Sequence, residues 1–181
     1  ILFSFSIKSE DIPYLLTASS KGDLESVKAI IESGGNPNTE DGDNVTALMY
    51  ASRKNQVEVA RYLISKGAEV NKQEIDGWTA LMYASKNNYS DMVELLINNN
   101  ADLKVTDSDG WTAYGLAATS GNHQTLDLLI KKGISPNTRN SSSATVLMLA
   151  CKSGNVPTIK ILIKNFVYPL GLLITKLPFM L

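Results

Sequence analysis

The sequence repeats itself every 33 residues, and this period constrains the fold more than any other feature. The segment TALMYAS at 46–52 recurs at 79–85, and looser copies begin at Thr112 and Thr145. One period before the first of these segments lies Pro13, which opens a fifth copy in the same register. A fixed period of this length is typical of repeat proteins, in which each unit buries its apolar faces against its neighbours.

Each unit contains two helical patterns separated by a turn. The first pattern carries a small residue, alanine, at positions 18, 51, 84, 117 and 150, where a neighbouring helix can approach closely. The second pattern places apolar residues at i, i+3 and i+4, as Ala60, Leu63 and Ile64 do, which predicts an amphipathic helix. Gly or Asn follows both helices and suits a left-handed turn, and each recurring Thr is placed to cap the next helix.

These motifs resemble those of ankyrin repeats. Residues 76–81 (DGWTAL) match the opening of the family pattern, and residues 67–71 (GAEVN) match its close, as do residues 34–38 and 133–137. The resemblance covers about residues 9 to 165. It implies an all-α solenoid of helix-turn-helix units joined by β-hairpin-like loops, with about five repeats and atypical end repeats.

We therefore divide the chain into an N-terminal flank, five repeats and a tail. The predicted ranges are 1–8 for the flank, 9–41, 42–75, 76–108, 109–141 and 142–165 for the repeats, and 166–181 for the tail. The first repeat is expected to present a polar outer side, formed by Ser9, Glu10, Asp11, Ser19, Ser20 and Lys21. The apolar tail has three interpretations: a cap folded over the open end, an altered end without a designed role, or a membrane anchor.

Two departures from the ankyrin pattern bear on stability. Its usual proline is alanine at positions 47, 80 and 113, and its usual histidine is Met49, Met82, Gly115 or Met148. Methionine replaces polar links with adaptable apolar packing. We expect an array less stable than an idealised one, with Gly115 the weakest helix position.

The composition contains little that could perform chemistry. The net charge is −1, and the chain has one cysteine, Cys151, and one histidine, His123. We expect Cys151 to be a small buried residue and His123 a partly exposed packing residue, and we assign no catalytic, metal or cofactor site. Acidic pairs recur at the predicted hairpins, where turn formation explains them: Asp41/Asp43, Glu74/Asp76 and Asp107/Asp109. We predict a non-enzymatic protein, monomeric and favoured to be cytoplasmic, since one cysteine fits a reducing compartment.

The resemblance implies that a protein partner contacts the concave side, at the hairpin tips and the first helices. Trp78 and Trp111 occupy equivalent tip positions in adjacent repeats, just before the capping threonines. Tryptophan is enriched in interface hot spots, so the two indoles are predicted to contact a partner as one aromatic strip. The alternative is that each indole only stacks on the next hairpin and stiffens the array.

Basic residues recur late in the first helices and complete the predicted partner site. They are Arg53, Lys54, Lys86 and Lys152. A basic stripe beside acidic tips favours a partner with an acidic segment, although it also fits a solvated face. Nucleic acid, a small-molecule substrate and membrane are not expected. The predicted function is a protein-interaction scaffold, with a structural spacer of a larger repeat protein or a membrane-associated repeat protein as alternatives.

Overall fold

A computed structural model describes residues 11–135 and 138–174 of the chain. Within these residues there are ten helices. They are α1 (Asp11–Lys21), α2 (Leu24–Glu32), α3 (Ala47–Arg53), α4 (Val57–Ser65), α5 (Ala80–Lys86), α6 (Ser90–Asn98), α7 (Ala113–Thr119), α8 (His123–Lys131), α9 (Val146–Ser153) and α10 (Val156–Ile174). The predicted flank, Ser9, Glu10 and the end of the predicted tail, 175–181, lie outside the described residues.

The helices form two parallel layers. The odd-numbered helices pack against one another in chain order, the even-numbered helices do the same, and the two helices of each unit pack together. The core lies between the layers, where Leu48 and Leu81 of the first layer and Leu63, Leu96 and Leu129 of the second are at most 1% exposed. This arrangement confirms the predicted solenoid of helix-turn-helix units.

The predicted capping and turn residues take their expected conformations. Each recurring threonine accepts a hydrogen bond through its hydroxyl from the backbone N–H three residues later, as in the 3.3 Å bond from Met82 N to Thr79 Oγ1. Positive φ angles, such as 60° at Asn88 and 64° at Asn100, occur at the Gly and Asn residues that follow the helices. These residues are Gly22, Gly34, Asn55, Gly67, Asn88, Asn100, Gly121, Gly133 and Gly154. The local chemistry of the sequence therefore sets both ends of most helices.

A short hairpin precedes each of the first helices from α3 to α9. In the third repeat, Glu74 N donates to Trp78 O at 3.0 Å, and Trp78 N donates back to the Glu74 side chain at 2.8 Å. Equivalent side-chain bonds close the other hairpins at Asp41, Asp107 and Asn140. The first acid of each recurring pair is thus a turn residue, which confirms the structural interpretation of that position.

The tips of neighbouring hairpins are joined by backbone hydrogen bonds, which we call the tip ladder. The carbonyl of Asp43 accepts from Ile75 N at 3.0 Å, and that of Asp76 accepts from Ser108 N at 2.9 Å. A third bond runs from Ser141 N to the carbonyl of Asp109 at 3.2 Å. The second acid of each pair therefore contributes its backbone to the stack, and its side chain remains exposed.

The last helix continues past the predicted end of the fifth repeat at residue 165. α10 extends to Ile174 and so includes the first part of the predicted tail. Phe166 stands one period after Gly133, at the position where Gly or Asn ends the other second helices. Without a residue suited to a left-handed turn, the helix continues. In the part of the chain that the structure describes, no helix has the length and apolarity needed to cross a bilayer.

The outer face of α9 is exposed where the equivalent faces of earlier repeats are buried. Met148 is 59% exposed, whereas Met49 and Met82 are 1% exposed. Cys151 is exposed too, so the prediction that it is buried was wrong. The reason is that α5 and α7 cover the interior faces, and no described helix takes that place beside α9. Ser19, predicted on the outer side of the first repeat, is in fact fully buried.

Candidate partner-binding groove

The second and third repeats form an open groove of about 420 Å³ on the side of the first helices. Its lining comes from the end of α3, the third-repeat hairpin and α5. The residues are Arg53, Glu74, Asp76, Trp78, Tyr83, Lys86 and Asn87, and we call this site the Trp78 groove.

The hairpin fixes the backbone of Trp78. Its N–H and C=O are both bonded to Glu74, and Gly77 adopts the positive φ of 83° that the tight turn requires. The following residue, Thr79, caps α5. The indole is therefore held at the start of the helix that also carries Tyr83 and Lys86.

Aromatic and cationic side chains meet inside the groove. The rings of Trp78 and Tyr83 have centroids 5.0 Å apart and are tilted by 47°. Lys86 Nζ lies 4.8 Å from the Trp78 ring centroid, within the range of a cation–π interaction. The backbone carbonyl of Lys86 accepts a 2.5 Å hydrogen bond from Asn122 Nδ2 of the next repeat. The fourth repeat thus helps to position Lys86 against the indole.

The groove has basic and acidic walls. Arg53 and Lys86 are exposed, and neither takes part in an ion pair among the residues that the structure describes. Glu74 is 7% exposed and uses one carboxylate oxygen to bind Trp78 N, so Asp76 is the exposed acid of the site. Burial and, secondarily, the carboxylate of Glu74 raise the pKa of Tyr83, which keeps its phenol neutral.

The second repeat has a similar but differently bonded arrangement. Tyr50 donates its hydroxyl to Asp41 Oδ2 at 2.8 Å, and this hydrogen bond raises the pKa of Tyr50. The guanidinium of Arg53 lies 6.0 Å from the Tyr50 ring centroid. Arg53 therefore stands between the two tyrosine positions, at the junction of the repeats.

The structure brings together three of the six predicted site residues: Arg53, Trp78 and Lys86. Lys54 is the exposed C-cap residue that follows α3, next to Arg53 but outside the lining of the groove. Lys152 is exposed on α9, in the last repeat. A basic residue lies in the last turn of α1, α3, α5 and α9. The last turn of α7 has Thr119 and no cation.

Trp111 lies in a different environment from Trp78. Its indole covers Gly115 of α7, so closely that a Cβ built on Gly115 would come within 2.5 Å of Trp111 Cε3. Gly115 has a second role besides its expected weakness as a helix position, because its missing side chain makes room for the ring. In the third repeat Met82 takes the equivalent place, and Trp78 contacts Tyr83 and Lys86 instead.

Tyr83 lines the groove although it is not among the six predicted site residues. It lies three positions before Lys86, on the same helix face. That spacing was the available signal. Asn87 follows Lys86, and its side chain donates to Tyr83 O at 2.9 Å, which ends the helix beneath the groove.

The described residues show no basis for metal chemistry. Within 11–135 and 138–174, no group of three or more His, Cys, Asp or Glu side chains could hold a metal ion. His123, at the start of α8, is exposed like Cys151.

Comparison with known families agrees with the architecture. The family model described as ankyrin repeats, in three copies, matches residues 15–107 and 97–169. The chain belongs to the ankyrin repeat family. Ankyrin repeats are generally protein-interaction modules and generally non-catalytic. No match was found when the sequence was compared with curated proteins.

Proposed function

We propose that this ankyrin array is a scaffold that binds a protein partner through the Trp78 groove, and that the partner contributes an acidic segment. The observation that carries the proposal is the convergence of Trp78, Tyr83, Arg53 and Lys86 at one open junction. Aromatic residues flanked by cations supply both apolar contact area and charge complementarity.

The charge arrangement favours an acidic ligand over a basic one. The aromatic pair is flanked by Arg53 and Lys86, whereas Glu74 is largely buried and already bonded within its hairpin. Asp76 is the one exposed acid in the lining. A carboxylate entering the groove would therefore meet two exposed cations and a single exposed acid.

The contacts of Trp78 also support the alternative that it only stiffens the array. Its ring stacks on Tyr83 and under Lys86, and both contacts stabilise the third repeat whether or not a partner is present. Stability and binding must therefore be measured on the same variants. Arg53 and Lys86 are better probes than Trp78, because they are exposed and make no ion pair with the described residues.

A selection from random displayed peptides tests the chemistry of the partner without assuming its identity. We expect enrichment of peptides that combine acidic and apolar residues. Arg53→Glu/Lys86→Glu should weaken the best of them by about tenfold or more. Lys66→Glu/Lys164→Glu makes the same change in net charge at exposed sites outside the groove and should leave affinity within about twofold. Enrichment of basic peptides, or equal losses in both variants, contradicts the proposal.

We also propose Trp111, Lys54 and Lys152 as partner contacts, although they lie outside the lining of the Trp78 groove. Lys54 extends the basic edge beside Arg53, so it would reach a partner bound in the groove. Trp111 and Lys152 would contact the same partner only if it followed the array into the fourth and fifth repeats.

A second candidate function is that of a structural spacer between other repeat units. One observation favours it: the outer face of the last repeat exposes Met148 (59%) and Ile163 (48%). Apolar side chains at these positions would suit a further helical repeat. If the face packs against other copies or repeats, Met148→Glu should reduce concentration-dependent association in sedimentation experiments. Unchanged sedimentation at all concentrations would count against the spacer.

A further inference from the structure

At two junctions between repeats, an asparagine side chain forms two hydrogen bonds to the loop of the next repeat. Asn38 accepts a hydrogen bond from Glu69 N at 2.7 Å and donates to Gly67 O at 3.1 Å. One period later, Asn71 accepts from Asp102 N at 2.7 Å and donates to Asn100 O at 3.0 Å. Each bridge needs a side chain that both donates and accepts, which an amide provides.

The next junction lacks this bridge because the residue one period later is Lys104. A lysine ammonium donates but cannot accept, so its side chain cannot form the same pair of bonds. A cavity of about 620 Å³ lies at this junction. Lys104 lines it together with Gly133 and Ser135, the residues equivalent to the loop partners at the other junctions. The cavity therefore occupies the region that an amide bridge would close.

The lining of this cavity combines apolar walls with positive charge. Leu103, Trp111 and Ile134 provide the apolar surface, and Lys104, Lys132 and Arg139 provide three cations. One carboxylate, Asp102, also lines it, and this group already accepts a bond from Lys104 N at 2.8 Å. Positive charge exceeds negative charge around an apolar interior.

A buried hydroxyl in the same lining is further evidence that the cavity binds a ligand. The hydroxyl oxygen of Thr138 is buried and has no hydrogen-bond partner among the described residues. Buried hydroxyls are normally satisfied, because leaving one unbonded costs free energy. A ligand with an acceptor or donor atom would satisfy it.

We propose that this cavity binds a small organic anion with an apolar or aromatic body. The volume is in the range of small-molecule sites, which combine apolar walls with a few polar groups that fix orientation. The anionic group would lie among Lys104, Lys132 and Arg139, and the apolar body would contact Trp111 and Ile134. This site is separate from the Trp78 groove, so it can bind whether or not the groove recognises a protein.

The test compares two fluorescent probes of similar shape and different charge: anilinonaphthalenesulfonate, which is an anion, and its neutral counterpart phenylnaphthylamine. Lys104→Asn should form the missing bridge and close the cavity. We expect it to weaken binding of both probes by about tenfold while urea unfolding shows equal or greater stability. Lys132→Gln/Arg139→Gln keeps the cavity and should weaken the anion by about tenfold, with the neutral probe within about twofold.

Lys66→Gln is the matched control, because Lys66 is the C-cap residue after α4 as Lys132 is after α8. It should bind both probes as the wild type does. Equal anion binding by the wild type, Lys104→Asn and Lys132→Gln/Arg139→Gln would overturn the proposal, since the probe would then occupy another surface such as the exposed face around Met148. Equal loss of both probes in Lys132→Gln/Arg139→Gln would also overturn it, because charge would then play no part.

Discussion

The indole of Trp111 packs directly over Gly115, in the space that a side chain would otherwise fill. The two residues are four positions apart, at the start of the fourth repeat. In the second and third repeats the later position is a buried methionine, Met49 or Met82. The fourth repeat thus exchanges a methionine side chain for a tryptophan ring lying on bare helix backbone.

This packing predicts that Gly115→Ala destabilises the protein. Alanine gains about 1 kcal/mol in helix propensity, but its Cβ would overlap the ring and displace it, at a cost of about 1–3 kcal/mol. We expect a net loss of about 1 kcal/mol in urea unfolding, with a change in tryptophan emission. In a Trp111→Ala background the same substitution should instead stabilise. Gly42→Ala is the control for a glycine-to-alanine change without a steric clash, because nothing lies within 4 Å of a Cβ built at that position.

Buried serine hydroxyls predict a stabilising substitution. Ser19, Ser52 and Ser85 occupy one position of successive repeats, are fully buried, and have no hydrogen-bond partner for their hydroxyls among the described residues. Ala118 fills this position in the fourth repeat, so alanine fits. Ser85→Ala should raise the free energy of unfolding by about 1 kcal/mol, and Ala118→Ser should lower it by a similar amount. A loss of stability in Ser85→Ala would show that its hydroxyl is bonded in solution.

The hairpin carboxylate of Asp41 predicts a dependence of stability on acid pH. Burial opposes its ionisation, but hydrogen bonds from Tyr50 and from the N–H groups of Val45 and Asp43 outweigh burial and lower its pKa from 3.8. Because the folded pKa is the lower one, the stabilisation is complete above the unfolded value and is lost as pH falls below 3.8 through the folded value.

Asp41→Asn isolates this contribution. Asn140 already forms the equivalent turn bond in the fifth repeat, so the hairpin should persist. At neutral pH we expect the free energy of unfolding to fall by about 1 kcal/mol. In urea melts, the difference in this free energy between the variant and the wild type should become smaller as Asp41 is protonated at acid pH. Asp43→Asn, in the same hairpin, controls for the change in net charge. A gap that stays constant with pH would contradict the assignment.

The amide bridge of Asn71 predicts a local effect at one junction. Asn71→Ala removes the bonds to Asp102 N and Asn100 O, both in loops that water can reach. Since water replaces part of what is lost, we expect a cost of about 1 kcal/mol and faster hydrogen exchange at the Asp102 amide. Asn99→Ala removes a bond within α6 only and should leave exchange at Asp102 unchanged.

The fold could be predicted from the sequence because each signal recurs at the same position. Thr79, Gly77 and Asn88 act through local chemistry, namely capping and left-handed turns, and the same chemistry appears one period away. The end of the array was less predictable. The burial of Cys151 depends on whether another helix covers it, and the residues of its own repeat carry no such information.

The candidate site was predictable in part for a similar reason. Arg53, Trp78 and Lys86 were found because they occupy recurring surface positions, but where the two indoles lie depends on their neighbours. Gly115 admits the Trp111 ring, whereas Met82 leaves Trp78 beside Tyr83. Identical positions in the repeat therefore receive different surroundings. The cavity at Lys104 could not be predicted in this way, because its only sign in the sequence is a lysine where Asn38 and Asn71 stand in earlier repeats.

The tip ladder has a consequence for recognition. Its backbone bonds link Asp43 to Ile75, Asp76 to Ser108 and Asp109 to Ser141, independent of side-chain identity. Adjacent tips are therefore held at a fixed separation, whatever side chains they carry. On the proposed function, a partner has to match that fixed spacing, so changes in the spacing of its acidic residues should alter affinity more than changes in their number.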